Sequence, residues 1–520
     1  DVYKRQGQGM KVTLNNGGTA VNLYYIQSLC MTLWPGVGFS IKDENGSNEP
    51  SIKVDITAED GGVIRARATI TDGRALVSIE RSVAADPEEA RTPERAAKMA
   101  AGAALLAAGM HFTGYTPSWG ILTGVRPAKV AADYLRAGFS PAKTRSVLRN
   151  EYFVYPKKAA LVTEIAALDM KLARGFYDGF CSFYVSIPFC PSRCAYCSFV
   201  SYSSNKLLSL LPSYIDALCD EIDEKLALIR SLGLRVATVY IGGGTPTMLD
   251  EEQLKRVLSH IERGLDVSLL SEYTLEAGRP DTITSEKLRI AKRMGVTRVS
   301  VNTQTINDDV LRAIGRSHTA EDFFRAYEIA VNSGIDCINT DLIAGLPGED
   351  FISFSKSLDK VIELHPENLT VHTFCVKKAS DFLRHGEQVY ARIHKDAGKS
   401  VDYTQIKTKQ SGYKPYYIYK QKNTVGNYEN VGFSLDGYEG FYNIFMMEEI
   451  HTIFAAGAGA VTKLVSRRGS DFGSQDVYIE RIFNPKYPYE YLKEKDEVSL
   501  ARQRAEKNAK AEAFYARYWR

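Results

Sequence analysis

The chain has 520 residues, of which 65 are Lys or Arg and 62 are Asp or Glu, so the formal net charge is only +3. This balance lacks the basic excess of polyanion-binding proteins and argues against a nucleic-acid partner. A hydrophobic content of 44% supports a sizeable core, and the length predicts two or three domains. Eight cysteines without a secretory signal indicate a reducing, cytoplasmic location. No uninterrupted apolar run is long enough to span a bilayer, so no membrane span is predicted.

The first predicted domain covers residues 10–175. Residues before Met10 show no core pattern, and Met10 is the expected native start. Thr92 followed by Pro93 predicts the start of an Ala-rich helix that runs to Ala108, with further helices after it. Short β-like runs between Gly, Asn and Asp turns precede that helix, at Lys11–Leu14, Ile52–Ile56, Val63–Ile70 and Ala75–Ile79. The pattern predicts a small α+β domain.

A basic segment of this domain contains Gly124, Arg126 and Lys129. Its two cations and its glycine could bind an anion. A helix start with solvated charges explains the segment as well, and the residues alone favour this second interpretation.

Three cysteines follow a β-like run that ends near Ile187. Cys190, Cys194 and Cys197 are spaced C-x3-C-x2-C, on a loop at the carboxyl end of the predicted strand. Three thiolates leave one coordination position open, whereas a structural zinc site usually closes with four ligands, and no second pair follows at the right spacing. A 4Fe-4S cluster with one iron free for another ligand fits better. A redox pair or three incidental thiols are the alternatives.

The second predicted domain, residues 180–380, alternates strands with helices. A helix is predicted from Leu207 to Ile229, and Asp250 with Gln253 predicts a capping box at the start of the next one. The predicted strands are Phe183–Ile187, Ala237–Ile241, Tyr273–Glu276, Arg298–Val301, Cys337–Ile343 and Leu369–Phe374. Six β/α units imply an α/β fold with a parallel sheet curled into an incomplete (β/α)6 barrel, whose chemistry lies at the carboxyl ends of the strands.

The second and third predicted strands end in candidate ligands. Gly243, Gly244 and Thr245 belong to a turn whose missing side chains let a backbone approach a ligand closely, although such a sequence can also be an ordinary turn. Glu276 can accept hydrogen bonds from the hydroxyl or amino groups of a cofactor. The alternative for Glu276 is an ordinary salt bridge to Arg279.

The fourth and fifth predicted strands lead to further polar residues. Gln304 follows the fourth strand, and Asp341 lies in the fifth, within Asp-Leu-Ile-Ala-Gly-Leu-Pro. Arg316 offers a planar fork that suits a carboxylate. His318 taken alone is more simply a surface or structural histidine.

The last predicted region, residues 381–520, is mixed. An aromatic band at 412–419 could stack on bases or on a porphyrin face, but plain packing fits it best. A helix is predicted over 441–452, a close-packing or cofactor-approach loop over 455–460, and a charged helix with a solvated face over 490–520.

The cysteine loop, with Tyr196 as the aromatic residue of C-x3-C-x-aromatic-C, resembles the signature of radical S-adenosylmethionine enzymes. The preceding Tyr-Val-Ser-Ile-Pro-Phe-Cys is similar to their coproporphyrinogen-dehydrogenase branch, the oxygen-independent coproporphyrinogen III oxidase-like group. Leu-Thr-Gly-x-Arg-Pro resembles members of that branch with an extra N-terminal domain. The resemblance covers roughly Phe183 to Leu464, with several motifs in the family order.

The resemblance implies a 4Fe-4S cluster on the three cysteines and S-adenosylmethionine at the open iron, cleaved by one electron to a 5′-deoxyadenosyl radical. It also implies a tetrapyrrole substrate and a low-potential electron donor of the flavodoxin or ferredoxin type. Carried over position by position, the residues of the nucleoside site are Tyr184, Tyr196, Gly243, Gly244, Thr245, Glu276, Gln304, Arg316 and Asp341. No catalytic side chain is assigned.

One departure from the family pattern concerns the substrate. The best-characterised coproporphyrinogen oxidases have a further cysteine two residues after the third ligand, where this chain has Phe199, as haem-chaperone relatives do. The resemblance implies oxidative decarboxylation of coproporphyrinogen III to protoporphyrinogen IX, with Arg316, Arg126 and Lys129 as candidate partners of the substrate carboxylates. The alternative is a haem-binding chaperone or another radical enzyme acting on a tetrapyrrole. The N-terminal domain favours the dehydrogenase.

Overall fold

The structure is a computed structural model that describes residues 10–34, 39–40, 50–124, 126–197, 201–375, 388–421, 424–466, 477–492 and 497–519. Phe199 and the predicted boundary between residues 380 and 381 lie outside the described residues. The chain divides into two compact units, Asp1–Ala167 with Lys420–Tyr428, and Leu168–Tyr419 with Glu429–Arg520. The domain limits given by the sequence patterns stay predictions.

The first unit is built on a five-stranded sheet with the strand order β2-β1-β3-β4-β5. β1 runs parallel to β2 and β3, and β3, β4 and β5 are antiparallel. The strands are β1 (Met10–Asn15), β2 (Phe39–Ser40), β3 (Ser51–Ala58), β4 (Val63–Thr71) and β5 (Leu76–Ala84). The helices that begin in this unit are α1 (Leu23–Leu33), α2 (Pro93–Thr113), α3 (Pro127–Arg136), α4 (Pro141–Asn150) and α5 (Pro156–Leu172), and the last turn of α5 belongs to the second unit. The Ala-rich α2 packs on β4 and β5, so a small α+β arrangement is observed.

The start of α2 is the one that the sequence predicts. The Thr92 hydroxyl accepts a hydrogen bond from the N–H of Arg95, and Pro93 occupies the first turn. The helix continues past Ala108 and ends before Gly114, which takes a left-handed conformation with φ of 69°.

Residues 420–428 also belong to this unit, and a buried lysine contacts its N-terminal part. Nζ of Lys420 donates to the carbonyl oxygen of Leu122 at 3.1 Å and lies 5.2 Å from the ring centroid of Trp119. The hydrogen bond and the aromatic face compensate the burial of this charge.

The second unit contains an eleven-stranded sheet with the order β12-β13-β11-β10-β9-β8-β7-β6-β14-β15-β16. Its strands are β6 (Phe180–Ile187), β7 (Arg235–Gly243), β8 (Glu272–Glu276), β9 (Arg298–Ser300), β10 (Cys337–Ala344), β11 (Asn368–Thr373), β12 (Lys414–Tyr419), β13 (Asn430–Ser434), β14 (Ile453–Ala456), β15 (Val461–Val465) and β16 (Ile479–Phe483). Its helices are α6 (Asn205–Leu208), α7 (Leu211–Ser231), α8 (Glu251–Gly264), α9 (Ser285–Arg293), α10 (Asp308–Ala313), α11 (Ala320–Asn332), α12 (Phe351–Glu363), α13 (Gln388–Gln410), α14 (Phe441–Glu448), α15 (Pro488–Tyr491) and α16 (Glu497–Tyr518).

The six predicted strands are all present as β6 to β11, and each is parallel to its neighbour in chain order. Helices connect them, and the predicted capping box of Asp250 and Gln253 opens α8. The end strands of the six do not pair with each other, since β6 pairs with β14 and β11 with β13. These features confirm the prediction of an α/β fold with an incomplete (β/α)6 barrel.

Three predictions for the last region need correction. The predicted helix over 441–452 ends at Glu448, because Glu449 turns left-handed with φ of 52°. The predicted loop over 455–460 begins inside β14, which extends the parallel sheet beyond β6. The face of α16 is not wholly solvated, since Phe514 and Tyr515 are buried and the Tyr515 ring stacks on Phe454.

Within the described ranges, no helix is long and apolar enough to cross a membrane.

Candidate cluster and cofactor site

The predicted cluster ligands lie on the loop that follows β6, and backbone hydrogen bonds hold this loop in place. The N–H of Cys190 donates to the carbonyl oxygen of Tyr202 at 3.0 Å, and the N–H of Ala195 donates to that of Ile314 at 2.9 Å. All three predicted ligands are reduced cysteines that are buried or partly buried, namely Cys190, Cys194 and Cys197. The structure therefore brings the three sulfur donors together on one anchored loop.

The thiols of this loop also interact electrostatically. Burial raises the pKa of the Cys190 thiol, a hydrogen bond with Thr245 lowers it, and charge on Cys197 and Cys194 raises it. Among the described residues, no three His, Cys, Asp or Glu side chains surround a position for a single metal ion. A cubane cluster places its thiolates on separate irons, so this donor set of three thiols fits a 4Fe-4S cluster better than a single ion.

Two side chains from neighbouring strand ends contact the cysteine sulfurs. Oγ1 of Thr245, after β7, lies 3.3 Å from Sγ of Cys190. Nη1 of Arg279, after β8, lies 3.5 Å from Sγ of Cys194. Both side chains are almost wholly buried, so the sulfurs have fixed hydrogen-bond partners beside them.

The glycine-rich turn after β7 packs against the cysteine loop. The N–H of Gly244 donates to the carbonyl oxygen of Ile187 at 2.8 Å, and the N–H of Thr245 donates to that of Phe189 at 2.7 Å. A Cβ on Gly244 would lie 2.4 Å from the Phe189 carbonyl oxygen, and Gly243 has a φ of 109°, which favours glycine. The glycines are therefore required for close contact between two backbone segments. Their contact with S-adenosylmethionine stays a prediction.

Stacked tyrosines lead to the predicted carboxylate at the end of β8. The ring centroids of Tyr184 and Tyr240 are 6.1 Å apart, and those of Tyr240 and Tyr442 are 4.5 Å apart. The Tyr240 hydroxyl donates a hydrogen bond to Glu276. The ion pair of Arg279 is formed with Asp281 instead, because the guanidinium turns towards the cysteine loop. The salt-bridge interpretation of Glu276 is therefore wrong.

The environment of Glu276 favours its protonated form. Burial raises the pKa of the Glu276 carboxyl to about 7, although the hydrogen bond from Tyr240 acts in the opposite direction. The nearby charge of Asp341 raises this pKa further. Glu276 therefore titrates near neutral pH, unlike an exposed glutamate.

Asp341 on β10 is oriented by two amide side chains. Nδ2 of Asn339 donates to Oδ1 at 2.8 Å, and Nδ2 of Asn302 donates to Oδ2 at 2.8 Å. Nε2 of His372, on β11, lies 3.6 Å from the same Oδ2, and its Nδ1 lies 3.1 Å from the hydroxyl of Tyr419. The carboxylate is thus held in place and can accept further hydrogen bonds from a ligand.

Gln304 stands beside Asp341 in a strained conformation. Its φ is 73°, and its backbone bridges β10 by donating to the carbonyl oxygen of Asp341 at 2.9 Å and accepting from the N–H of Ile343 at 3.0 Å. Its side-chain Oε1 is buried without a hydrogen-bond partner among the described residues. A strained residue with an unpaired buried acceptor fits a ligand position.

The guanidinium of Arg316 donates its hydrogen bonds to groups of the protein itself. Nη1 donates to the carbonyl oxygens of Gly278 at 2.9 Å and Asn302 at 3.1 Å, and Nη2 donates to the Tyr196 hydroxyl at 3.0 Å. Its Nε is buried and has no partner among the described residues. The predicted carboxylate fork is thus largely engaged in holding the aromatic residue of the cysteine motif.

His318 is a buried histidine, not a surface one. Both ring nitrogens lack a hydrogen-bond partner among the described residues. Burial, and then the charge of Arg316, lower the pKa of His318 to about 4. The ring is therefore neutral at physiological pH.

The basic segment of the first unit is the start of a helix. Arg126 is the N-cap of α3, and Pro127 is its first residue. This confirms a helix start at Arg126. Anion binding by Arg126 and Lys129 stays a prediction.

The sequence interpretation missed several residues around Asp341 and Glu276, namely Tyr240, Asn302, Asn339, His372 and Tyr419. A systematic search for polar residues at the carboxyl ends of predicted strands would have found Asn302 and His372. Tyr240 and Asn339 lie inside strands, where only the facing side of the sheet distinguishes them from core residues. Tyr419 comes from the antiparallel β12, so no local pattern points to it.

Comparison with known proteins gives a match to one family model and several similar proteins. Residues 184–361 match the model of the radical SAM superfamily. The chain is 38% identical over 382 residues to the oxygen-independent coproporphyrinogen-III oxidase-like protein HemZ of Bacillus subtilis, with 73% of this chain and 75% of that protein covered. It is 32% identical over 309 residues to the heme chaperone HemW of the same organism, with 59% and 77% covered. The solved structure of coproporphyrinogen III oxidase (HemN) from Escherichia coli is similar with a TM-score of 0.48 and 22% identity, covering 63% of this chain and 72% of that one.

Proposed function

Because the chain belongs to the radical SAM superfamily, and within it to the oxygen-independent coproporphyrinogen-III oxidase-like family, we propose that it oxidatively decarboxylates coproporphyrinogen III to protoporphyrinogen IX. Proteins of the superfamily use a 4Fe-4S cluster and S-adenosylmethionine, so both are cofactors of this chain. In the net reaction, each of two propionates loses one hydrogen atom from its β-carbon, its carboxyl carbon as carbon dioxide and one electron to an acceptor. A vinyl group remains.

The observation that carries the proposal is the anchored loop with three reduced cysteines next to a set of oriented polar groups. Cys190, Cys194 and Cys197 hold the cluster in this proposal and leave one iron for S-adenosylmethionine. When bound, these cofactors supply a hydrogen-abstracting radical through one-electron cleavage of the sulfonium. A low-potential donor of the flavodoxin or ferredoxin type delivers that electron.

The chain's own residues bind and orient the nucleoside. Asp341, fixed by two amides, accepts hydrogen bonds from the ribose hydroxyls, and Glu276 in its ionised form accepts from hydroxyl or amino groups. The unpaired Oε1 of Gln304 accepts another hydrogen bond. Arg316 keeps Tyr196 in position beside the cluster loop.

Aromatic side chains support a tetrapyrrole substrate. The rings of Tyr417 and Tyr419 stack on β12 with centroids 6.2 Å apart, and Tyr419 contacts His372 near Asp341. Tyr417 is buried in the hydrophobic core, and the partly exposed ring of Tyr419 can pack against a pyrrole. Because the fork of Arg316 is largely engaged, the imidazole of His372 is the better candidate in this unit for a propionate contact.

A haem-chaperone role is the second candidate. It is favoured by the 32% identity to a heme chaperone and by Phe199 at the place of the additional cysteine. This role predicts stoichiometric haem binding without formation of a vinyl product.

The deciding experiment is an anaerobic assay of the reconstituted full chain with coproporphyrinogen III, S-adenosylmethionine and a low-potential reductant. Chromatography should detect protoporphyrinogen together with 5′-deoxyadenosine, and a sample without S-adenosylmethionine is the control. If 5′-deoxyadenosine forms without protoporphyrinogen and haem binds stoichiometrically, the dehydrogenase proposal is wrong and the chaperone stands.

A further inference from the structure

Arg279 has no role in the assignments above, although its guanidinium touches a cysteine of the cluster loop. We infer that Arg279 is a positioning residue for the cluster. Its own guanidinium is a buried positive charge held beside Cys194, and this charge raises the reduction potential of the cluster. The inference rests on the proposed function only in that Cys190, Cys194 and Cys197 hold a 4Fe-4S cluster. It concerns electron acceptance by that cluster and is independent of the substrate.

The contacts of Arg279 hold its guanidinium in one orientation. Nη1 lies 3.5 Å from Sγ of Cys194 and 3.5 Å from the carbonyl oxygen of Ser192. Nη2 donates to the hydroxyls of Ser192 and Ser317, both at 2.9 Å. Nε lies 3.2 Å from Oδ1 of Asp281. A planar guanidinium with this many partners cannot swing away from the sulfur without breaking several hydrogen bonds.

The burial of Arg279 makes its charge effective. Only 3% of the residue is exposed, and Cys194 is 9% exposed, so little solvent screens the interaction. When one electron enters a thiolate-ligated cluster, its negative charge grows and no bond is made or broken. A fixed cation and an N–H···S hydrogen bond stabilise the reduced form more than the oxidised form, which raises the potential.

Two neighbouring charges bear on this effect. Asp281 is ion-paired with Arg279 and offsets part of its positive charge. Removing the Asp281 carboxylate should therefore move the potential in the opposite direction from removing the guanidinium. Arg316 also interacts electrostatically with Cys194, but its hydrogen bonds go to carbonyl oxygens and to Tyr196, and it is unchanged in every variant tested.

A purely structural role for Arg279 is the competing explanation. In that case the side chain only ties Ser192 of the cysteine loop to Ser317, and its loss would reduce cluster content without changing the potential of the clusters that assemble. The potential itself therefore separates the two roles, because activity would fall in both.

The test is an anaerobic redox titration of the reconstituted full chain, followed by electron paramagnetic resonance and without substrate. Arg279→Gln and Arg279→Met should shift the midpoint potential to more negative values, and Arg279→Lys should shift it less, since it keeps the charge. Asp281→Asn should shift it to more positive values. Arg312→Gln, which removes an exposed cation on α10, should leave it unchanged.

The outcomes are separable. Equal potentials in the wild type and in cluster-bearing Gln and Met variants would overturn the inference. If these two variants fail to assemble a cluster, the direction of the potential shift in Arg279→Lys and Asp281→Asn tests the inference instead. A shift of the midpoint potential to more negative values in Asp281→Asn would overturn the inference. If the wild type itself assembles no cluster, the proposed function fails first.

Discussion

The hydroxyl of Tyr240 on β7 donates a hydrogen bond to the carboxyl group of Glu276 at the end of β8. This contact joins two adjacent strands where the predicted cofactor site begins. It also identifies a hydroxyl, rather than Arg279, as the partner of this carboxyl group. Burial is the largest influence on this carboxyl group and raises the pKa of Glu276 to about 7.

The raised pKa of Glu276 predicts a pH-dependent stability. Because the folded pKa of about 7 exceeds the ordinary value of 4.5, the folded state keeps a proton that the unfolded state releases between these values. This contribution to the free energy of unfolding is fully present below pH 4.5 and is lost as pH rises towards 7. Glu276 is only partly buried by its exposed area, so the loss is about 2 kcal/mol after allowance for solvent screening. Glu276→Gln should remove this loss, as measured by denaturant unfolding at pH 5.5 and pH 8.

Glu252→Gln, at an exposed position on α8, is the matched control and should keep the wild-type difference. An unchanged pH dependence in Glu276→Gln would show that Glu276 does not titrate in this range.

The three cysteines of the loop should be required for cluster binding, whereas buried cysteines elsewhere should not be. Replacing Cys190, Cys194 or Cys197 by Ala should abolish cluster binding, because each removes one iron ligand. Anaerobic reconstitution with iron analysis and absorption spectroscopy should give about four irons per chain in the wild type. Cys181→Ala and Cys337→Ala, in buried strands β6 and β10, should retain the cluster. A full cluster in all three loop variants would contradict the assignment.

Asp341 should contribute strongly to cofactor affinity. Asp341→Asn removes the charge that makes its hydrogen bonds to the ribose strong, so S-adenosylmethionine should bind about 10- to 100-fold more weakly, or about 1.5–3 kcal/mol. Calorimetry on the reconstituted protein measures this. Asp359→Asn, which changes a partly exposed carboxylate paired with Lys407, should bind as the wild type does. Equal affinities for both variants would remove Asp341 from the site.

The tight packing of Gly244 predicts a local steric effect. In Gly244→Ala the new Cβ would meet the Phe189 carbonyl oxygen at 2.4 Å, so the cysteine loop must move. We expect a loss of about 1–3 kcal/mol in the free energy of unfolding, together with reduced iron incorporation. Gly278→Ala is the control, since its nearest neighbour lies 3.5 Å away, at ordinary contact distance. A Gly244→Ala protein with normal stability and iron content would show that the loop adapts.

Local sequence patterns were sufficient to predict the six strands of the barrel. The buried parallel strand β7 contains a short, largely apolar run, and the capping box at Asp250 marks the start of α8, so both depend on residues close in sequence. Strand β14 was not predicted from the sequence, because its four residues lie at the start of an Ala- and Gly-rich stretch. Only its pairing with β6 shows that these residues form a strand.

The sequence by itself determined the six β/α units and the three-cysteine loop, because strand patterning, capping and cysteine spacing are local properties of the chain. Only the tertiary structure decided which side chains meet: Arg279 with Cys194, Tyr240 with Glu276, and Arg316 with Tyr196. These partners are 36 to 120 residues apart in sequence. Their contacts follow from the side-by-side placement of parallel strand ends, and the burial that raises the pKa of Glu276 exists only once those ends have packed together.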